Sequence, residues 1–180
     1  MWRSPLQVRH EPFHPISIRG RMAFSIVCLE AVAWKFKLNL EGLLELLWAF
    51  TTSERLDEWE ADVLQLVDYE AAGSYAQRFA FEHLGEPTAS LIGDLIEEVV
   101  EVGRGNLYGG YRSDFTAEPA ATVADLCREL TGDAPDLTPF ACSPATNDDG
   151  WGSPISEDVF RAEMSGVDRF RAKLLRRVNG

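Results

Sequence analysis

Four carboxylates, Asp94, Glu97, Glu98 and Glu101, lie close together in the chain. On an α-helix their spacing spreads them over about half of the surface and sets Glu97 and Glu101 one turn apart. Carboxylates one turn apart can share a Mg²⁺ ion with water and substrate phosphates. The same pattern also arises on any solvated acidic helix face. His10 and His14 stand four apart, a spacing that suits a metal on a helix. Pro12 between them and Pro15 after them predict that no helix forms there, so no metal site is expected. His83 is isolated near a helix end and reads as a cap. The glycines at 103, 105, 109 and 110 follow a helix rather than a strand and lack a Gly-Lys-Ser/Thr ending, so they do not make a phosphate loop. Asn147-Asp148-Asp149-Gly150 lacks the alternating ligands of a calcium loop. No nucleophile elbow is present, and three scattered histidines give no Cys–His pairing. No catalytic residue, cofactor or metal is expected.

The elements that position these residues read as helices. Residues 1–15 are Pro-rich and are expected to form an extended arm. Helix one spans about Ser17 to Lys37. Ile18, Met22, Ile26, Leu29 and Phe36 recur at helical spacing, and Phe24, Val27 and Val32 fill other faces, which predicts a helix central to the core. Asn39 reads as an N-cap of helix two, which ends near Thr51. Helix three carries Leu56, Trp59, Val63, Leu66 and Val67, and helix four covers roughly Asp68 to Leu84. Helix five starts at Thr88 or Ser90 and carries the acidic cluster opposite Leu91, Leu95, Ile96, Val99 and Val102. Helix six follows Thr116 or Ala117, with Pro119 in its first turn. A long Pro/Gly/Asp-rich loop covers about Gly132 to Pro154. The last, amphipathic helix is placed at 156–178. The expected fold is all-α: one domain over 1–180, a multi-helix bundle of about seven helices.

Composition narrows the class of partner. The 180 residues carry 29 acids against 17 bases, a net charge of −12. That balance disfavours nucleic acid and anionic membrane, both of which need surface cations. It suits a partner with a basic surface, because opposite potentials speed encounter and disfavour wrong partners. Solubility alone also accounts for acidity. The charge is uneven: residues 41–101 hold 15 acids and 2 bases, while residues 169–180 hold five bases and no acid. Of the three cysteines, Cys28 and Cys127 sit in apolar helical patterns and read as core residues. An odd count without a C-x-x-C pair disfavours a disulfide framework, so a cytoplasmic setting is expected. No signal peptide or membrane span is read from the sequence; the most apolar stretch, Met22 to Phe36, contains Glu30 and Lys35 and is too short. Trp59 and Trp151 read either as interface anchors or as plugs in the core.

Three segments in order resemble a family of small, acidic, helical bacterial proteins. They are 21–30 (RMAFSIVCLE) with 46–53 (LLWAFTTS) and 56–59 (LDEW); 101–110 (EVGRGNLYGG); and Pro139-Phe140 with 149–152 (DGWG). The resemblance covers roughly residues 18–155, and members look like immunity proteins of polymorphic toxin systems. It implies inhibition by binding: a cognate toxin with a basic surface is captured on an acidic one. The residues expected to carry that contact are Asp57, Glu58, Asp94, Glu97 and Glu101. Two other readings stay open. Glu98-x-x-Glu101 matches the first half of the E-x-x-E and E-x-x-D pair of helical nucleotide pyrophosphohydrolases, although no second half follows downstream. A non-catalytic structural or regulatory subunit is the third.

Overall fold

A computed structural model of the protein describes residues 10–67 and 75–164. Among the described residues it is an all-α bundle of seven helices: α1 (Ile18–Phe36), α2 (Glu41–Thr52), α3 (Leu56–Leu66), α4 (Tyr75–Arg78), α5 (Thr88–Arg104), α6 (Ser113–Thr131) and α7 (Glu157–Glu163). Four short 3-10 turns connect them, and among the described residues no strand forms beyond an isolated bridge between Ile16 and Pro144.

The apolar pattern of α1 places it at the centre. From Ile18 to Ala33 only Glu30 escapes full burial. Each Leu, Ile or Phe so enclosed stabilises the fold by about 1.5–3 kcal/mol. Helices α2, α5 and α6 pack around it, and α5 and α6 pack most extensively on each other. The N-cap of α1 is Ser17, whose hydroxyl accepts the Gly20 amide. None of the described helices is long and apolar enough to cross a membrane.

Two buried arginines anchor the start of α1, and sequence periodicity did not single them out. Arg19 donates to the carbonyls of Gly152, Phe50 and Ser53, joining the 138–155 loop to the end of α2. Arg21, fully buried, donates to the carbonyls of Phe13, His14 and Ser113 and to the Thr116 and Tyr111 hydroxyls. Burial lowers the pKa of both guanidiniums, an effect that nearby anionic or ionisable groups partly offset. Carbonyl oxygens take the place of lost water around each buried cation.

The structure departs from the sequence expectations at several places, the first being the N-cap of α2, which is Leu40 rather than Asn39. Residues 10–15 are not an extended arm: a 3-10 turn runs over Glu11–Phe13 and buries Phe13 against Phe24. Pro12 sits at the start of that turn, where its missing N–H leaves nothing unsatisfied. Helix α6 starts at Ser113, one turn before Thr116 or Ala117, and takes Pro119 inside it. Pro119 cannot donate to the Phe115 carbonyl, and that oxygen faces Gly105, where a Cβ would lie only 2.9 Å from it. Helix four is described only as Tyr75–Arg78, followed by a 3-10 turn at Glu82–Leu84. Residues 68–74 lie outside the described residues, as do the basic end of the last helix and the arm before residue 10.

Candidate functional site

Helix α5 turns its apolar stripe inward and leaves Asp94, Glu97 and Glu101 exposed, with Glu98 half-buried. The first turns of α6 lie alongside. Between the two helices runs an open groove of about 550 Å³, lined by Glu98 and Glu101 from α5 and by Asp114, Phe115 and Glu118 from α6. Among the described residues no Lys, Arg or His side chain lines it, although His14 stands 3.2 Å from Asp114 at its edge. Phe115 is 43 % exposed and supplies an apolar surface among the carboxylates.

Arginines stand beside this groove with other engagements. Arg104 donates to Glu60 at 2.9 Å and lies 3.9 Å from Glu101. The Arg112 guanidinium lies 5.3 Å from the centre of the Phe115 ring. At Glu98 the neighbouring negative charges act on one another. Partial burial and then the charges of Glu101, Glu97, Glu118 and Asp94 push the Glu98 carboxyl above the ordinary glutamate range.

The five residues expected from the sequence fall into two groups. Asp57 and Glu58 open α3, and Arg55 pairs with Glu58 at 2.7 Å and reaches Asp57 at 3.7 Å. That pairing reduces the charge they offer to a partner. Glu60 on the same helix is buried and accepts from Arg104 and from the exposed Tyr108 hydroxyl, which links α3 to the end of α5. Glu101 lies at that junction and also lines the groove, whereas Asp94 and Glu97 continue the acidic face along α5. Asp114 and Phe115 went unnoticed in the sequence because helix six was placed after them, and Glu118, inside the expected helix, had no visible link to the acids of helix five. An acid at Asp114, in the first turn where the helix dipole favours negative charge, was the available signal.

Trp59 and Trp151 both belong to the packing. Trp59 is 3 % exposed, donates from its indole to the Leu46 carbonyl at 2.8 Å and stacks edge-on against Phe50. Gly103 makes room for it: a Cβ there would stand 2.4 Å from the ring. Trp151 is half-buried against the core, and its carbonyl accepts the Arg19 amide. Cys28 and Cys127 are buried free thiols, as their apolar setting implied.

The two N-terminal histidines come together despite Pro12. His14 Nε2 lies 3.2 Å from His10 Nδ1 and 3.2 Å from Asp114 Oδ1, and His10 Nδ1 is 3.7 Å from the same oxygen. The prolines were expected to prevent a helix here and with it a metal site; the 3-10 turn they permit brings the pair together, and α6 adds a carboxylate. Comparison with protein families, with characterised proteins and with solved structures found no match to this chain.

Proposed function

We propose that this protein is an immunity-type inhibitor that binds and neutralises a cognate bacterial toxin in the cytoplasm, receiving a basic surface of that toxin in the groove between α5 and α6. The observation that carries the reading is the groove itself. Four carboxylates, Glu98, Glu101, Asp114 and Glu118, line it with no cationic side chain among the described lining residues, around a part-exposed aromatic ring. An arginine or lysine entering there would exchange carboxylate repulsion for charge-assisted hydrogen bonds, beside a Phe115 ring that already carries the Arg112 guanidinium 5.3 Å from its centre. Asp94 and Glu97 extend the attracting potential along α5, and Asp57 and Glu58 add to it from α3. The likeness of residues 18–155 to polymorphic-toxin immunity proteins points the same way. Binding of this kind needs no chemistry from the inhibitor.

The test is capture of the toxin encoded beside this gene. Co-expression should protect the host cell. The purified proteins should associate tightly at low salt and more weakly as salt rises, because screening weakens exposed charge pairs. Death of the host regardless, with no association at low salt, contradicts the proposal.

One observation favours a second reading. The groove supplies a carboxylate pair on the helix after Glu98 and Glu101, namely Asp114 and Glu118, spaced by four rather than three. Paired carboxylates on facing helices suit Mg²⁺ bound with a nucleotide phosphate. A nucleotide panel with Mg²⁺ should then show pyrophosphate release that Glu98→Gln abolishes. Absence of Mg²⁺ binding by calorimetry contradicts this reading.

A further inference from the structure

We infer that His10, His14 and Asp114 form a binding site for a divalent transition metal of the zinc type. The three ligand atoms, His10 Nδ1, His14 Nε2 and Asp114 Oδ1, make a triangle with edges of 3.2, 3.2 and 3.7 Å. A tetrahedral zinc with bonds of 2.0–2.2 Å separates its ligands by about 3.3–3.6 Å. The triangle thus has the size of one face of such a tetrahedron, and a fourth position remains for water or another ligand.

The ligand set selects the metal. Two imidazoles and one carboxylate suit Zn²⁺, and Cu²⁺ or Ni²⁺ in the same affinity order, whereas Mg²⁺ and Ca²⁺ prefer all-oxygen shells. Two neighbours oppose a cation here: the buried Arg21 guanidinium, which shares the field of Asp114, and the positive end of α6. Bonds from two imidazole nitrogens offset that repulsion.

The fold holds the ligands in place. Arg21 grips both elements that carry them, donating to the Phe13 and His14 carbonyls on one side and to the Ser113 carbonyl and Thr116 hydroxyl on the other. His14 and Asp114 are therefore fixed by a side chain buried beneath them. The rings of His10 and His14 meet edge to face with centroids 5.1 Å apart. Access is open, since the side chains are 14 %, 37 % and 69 % exposed in the order His10, His14, Asp114. Binding needs both facing nitrogens unprotonated, so His14 carries its proton on Nδ1 when the metal is bound. The ion clips the N-terminal turn to the start of α6.

The experiment uses the full chain without a polyhistidine tag, stripped with a chelator and titrated with Zn²⁺ alone. Calorimetry should give one ion per chain, and Co²⁺ in its place should give the visible absorption of a tetrahedral centre. The chain has three histidines, so ¹⁵N imidazole spectra of the wild type decide the site directly. His10 and His14 should shift on zinc addition while His83 stays as the internal control. His10→Ala and His14→Ala should lower affinity by more than the roughly 10–100-fold that loss of an outer-shell partner costs. Absence of saturable binding, or binding that moves His83 and leaves His10 and His14 unchanged, overturns the inference. The wild-type spectra give that answer even if a variant does not fold. Because zinc is added to the isolated chain, the result is separate from whether a toxin is captured.

Discussion

Glu98 is the residue whose charge the fold opposes most plainly. Partial burial comes first, followed by Glu101, Glu97, Glu118 and Asp94, and all of them raise its pKa. The folded protein therefore holds that proton more tightly than the unfolded chain does. The stabilisation from this group is fully present below the ordinary carboxylate range and is lost as pH rises through the raised value. Urea midpoints measured across the acid-to-neutral range should show this loss in the wild type. Glu98→Gln should lack that component and exceed the wild type in stability at neutral pH. An unchanged pH profile in the variant contradicts the cause assigned here. The sequence showed Glu98 beside Glu101, but it could not show that Asp114 and Glu118 share their groove. Placing the start of helix six after Asp114 and Phe115 put both residues in a loop, where no pairing across helices suggested itself.

At the scale of elements, the contact between α3 and α5 rests on a large residue meeting the smallest one. Trp59 reaches into the space left by Gly103, and Glu60 pairs with Arg104 one residue further on in each helix. Gly103→Ala would set a methyl 2.4 Å from the indole, whose hydrogen bond to Leu46 fixes its position. Overpacking of this kind costs about 1–3 kcal/mol, so urea denaturation of Gly103→Ala should show a loss of that size. A variant as stable as the wild type contradicts the tight fit. Helices α1, α2, α3 and α5 were legible because each buries one continuous apolar pattern, and period alone reveals that. The 3-10 turn at Glu11–Phe13 was not legible. Proline excludes the interior of an α-helix and accepts the first position of a turn, and the letters do not say which applies. The roles of Arg19 and Arg21 were hidden for a related reason: their partners are backbone carbonyls from distant segments, which carry no sequence signal.

For the whole molecule, the all-α architecture followed from periodicity, and the charge map sharpened into a place. Residues 41–101 carry a net charge of −13. The fold sorts those acids by their partners. Glu60 is consumed in packing, Asp57 and Glu58 share Arg55, and Glu98 and Glu101 face a groove that α6 completes with two more carboxylates. Exposed and partly buried charge of one sign attracts a basic partner at a cost in stability to the free protein. The central claim is thus that the groove captures a cationic surface. The direct measurement is a calorimetric titration of this protein with the adjacent toxin at low and at physiological salt. It is run for the wild type and for a variant carrying Glu98→Gln, Glu101→Gln and Glu118→Gln. A one-to-one complex that weakens with salt is expected, and at low salt the variant should bind at least about tenfold more weakly, a loss of roughly 1.4 kcal/mol. An affinity that ignores salt and survives the triple substitution would contradict the claim.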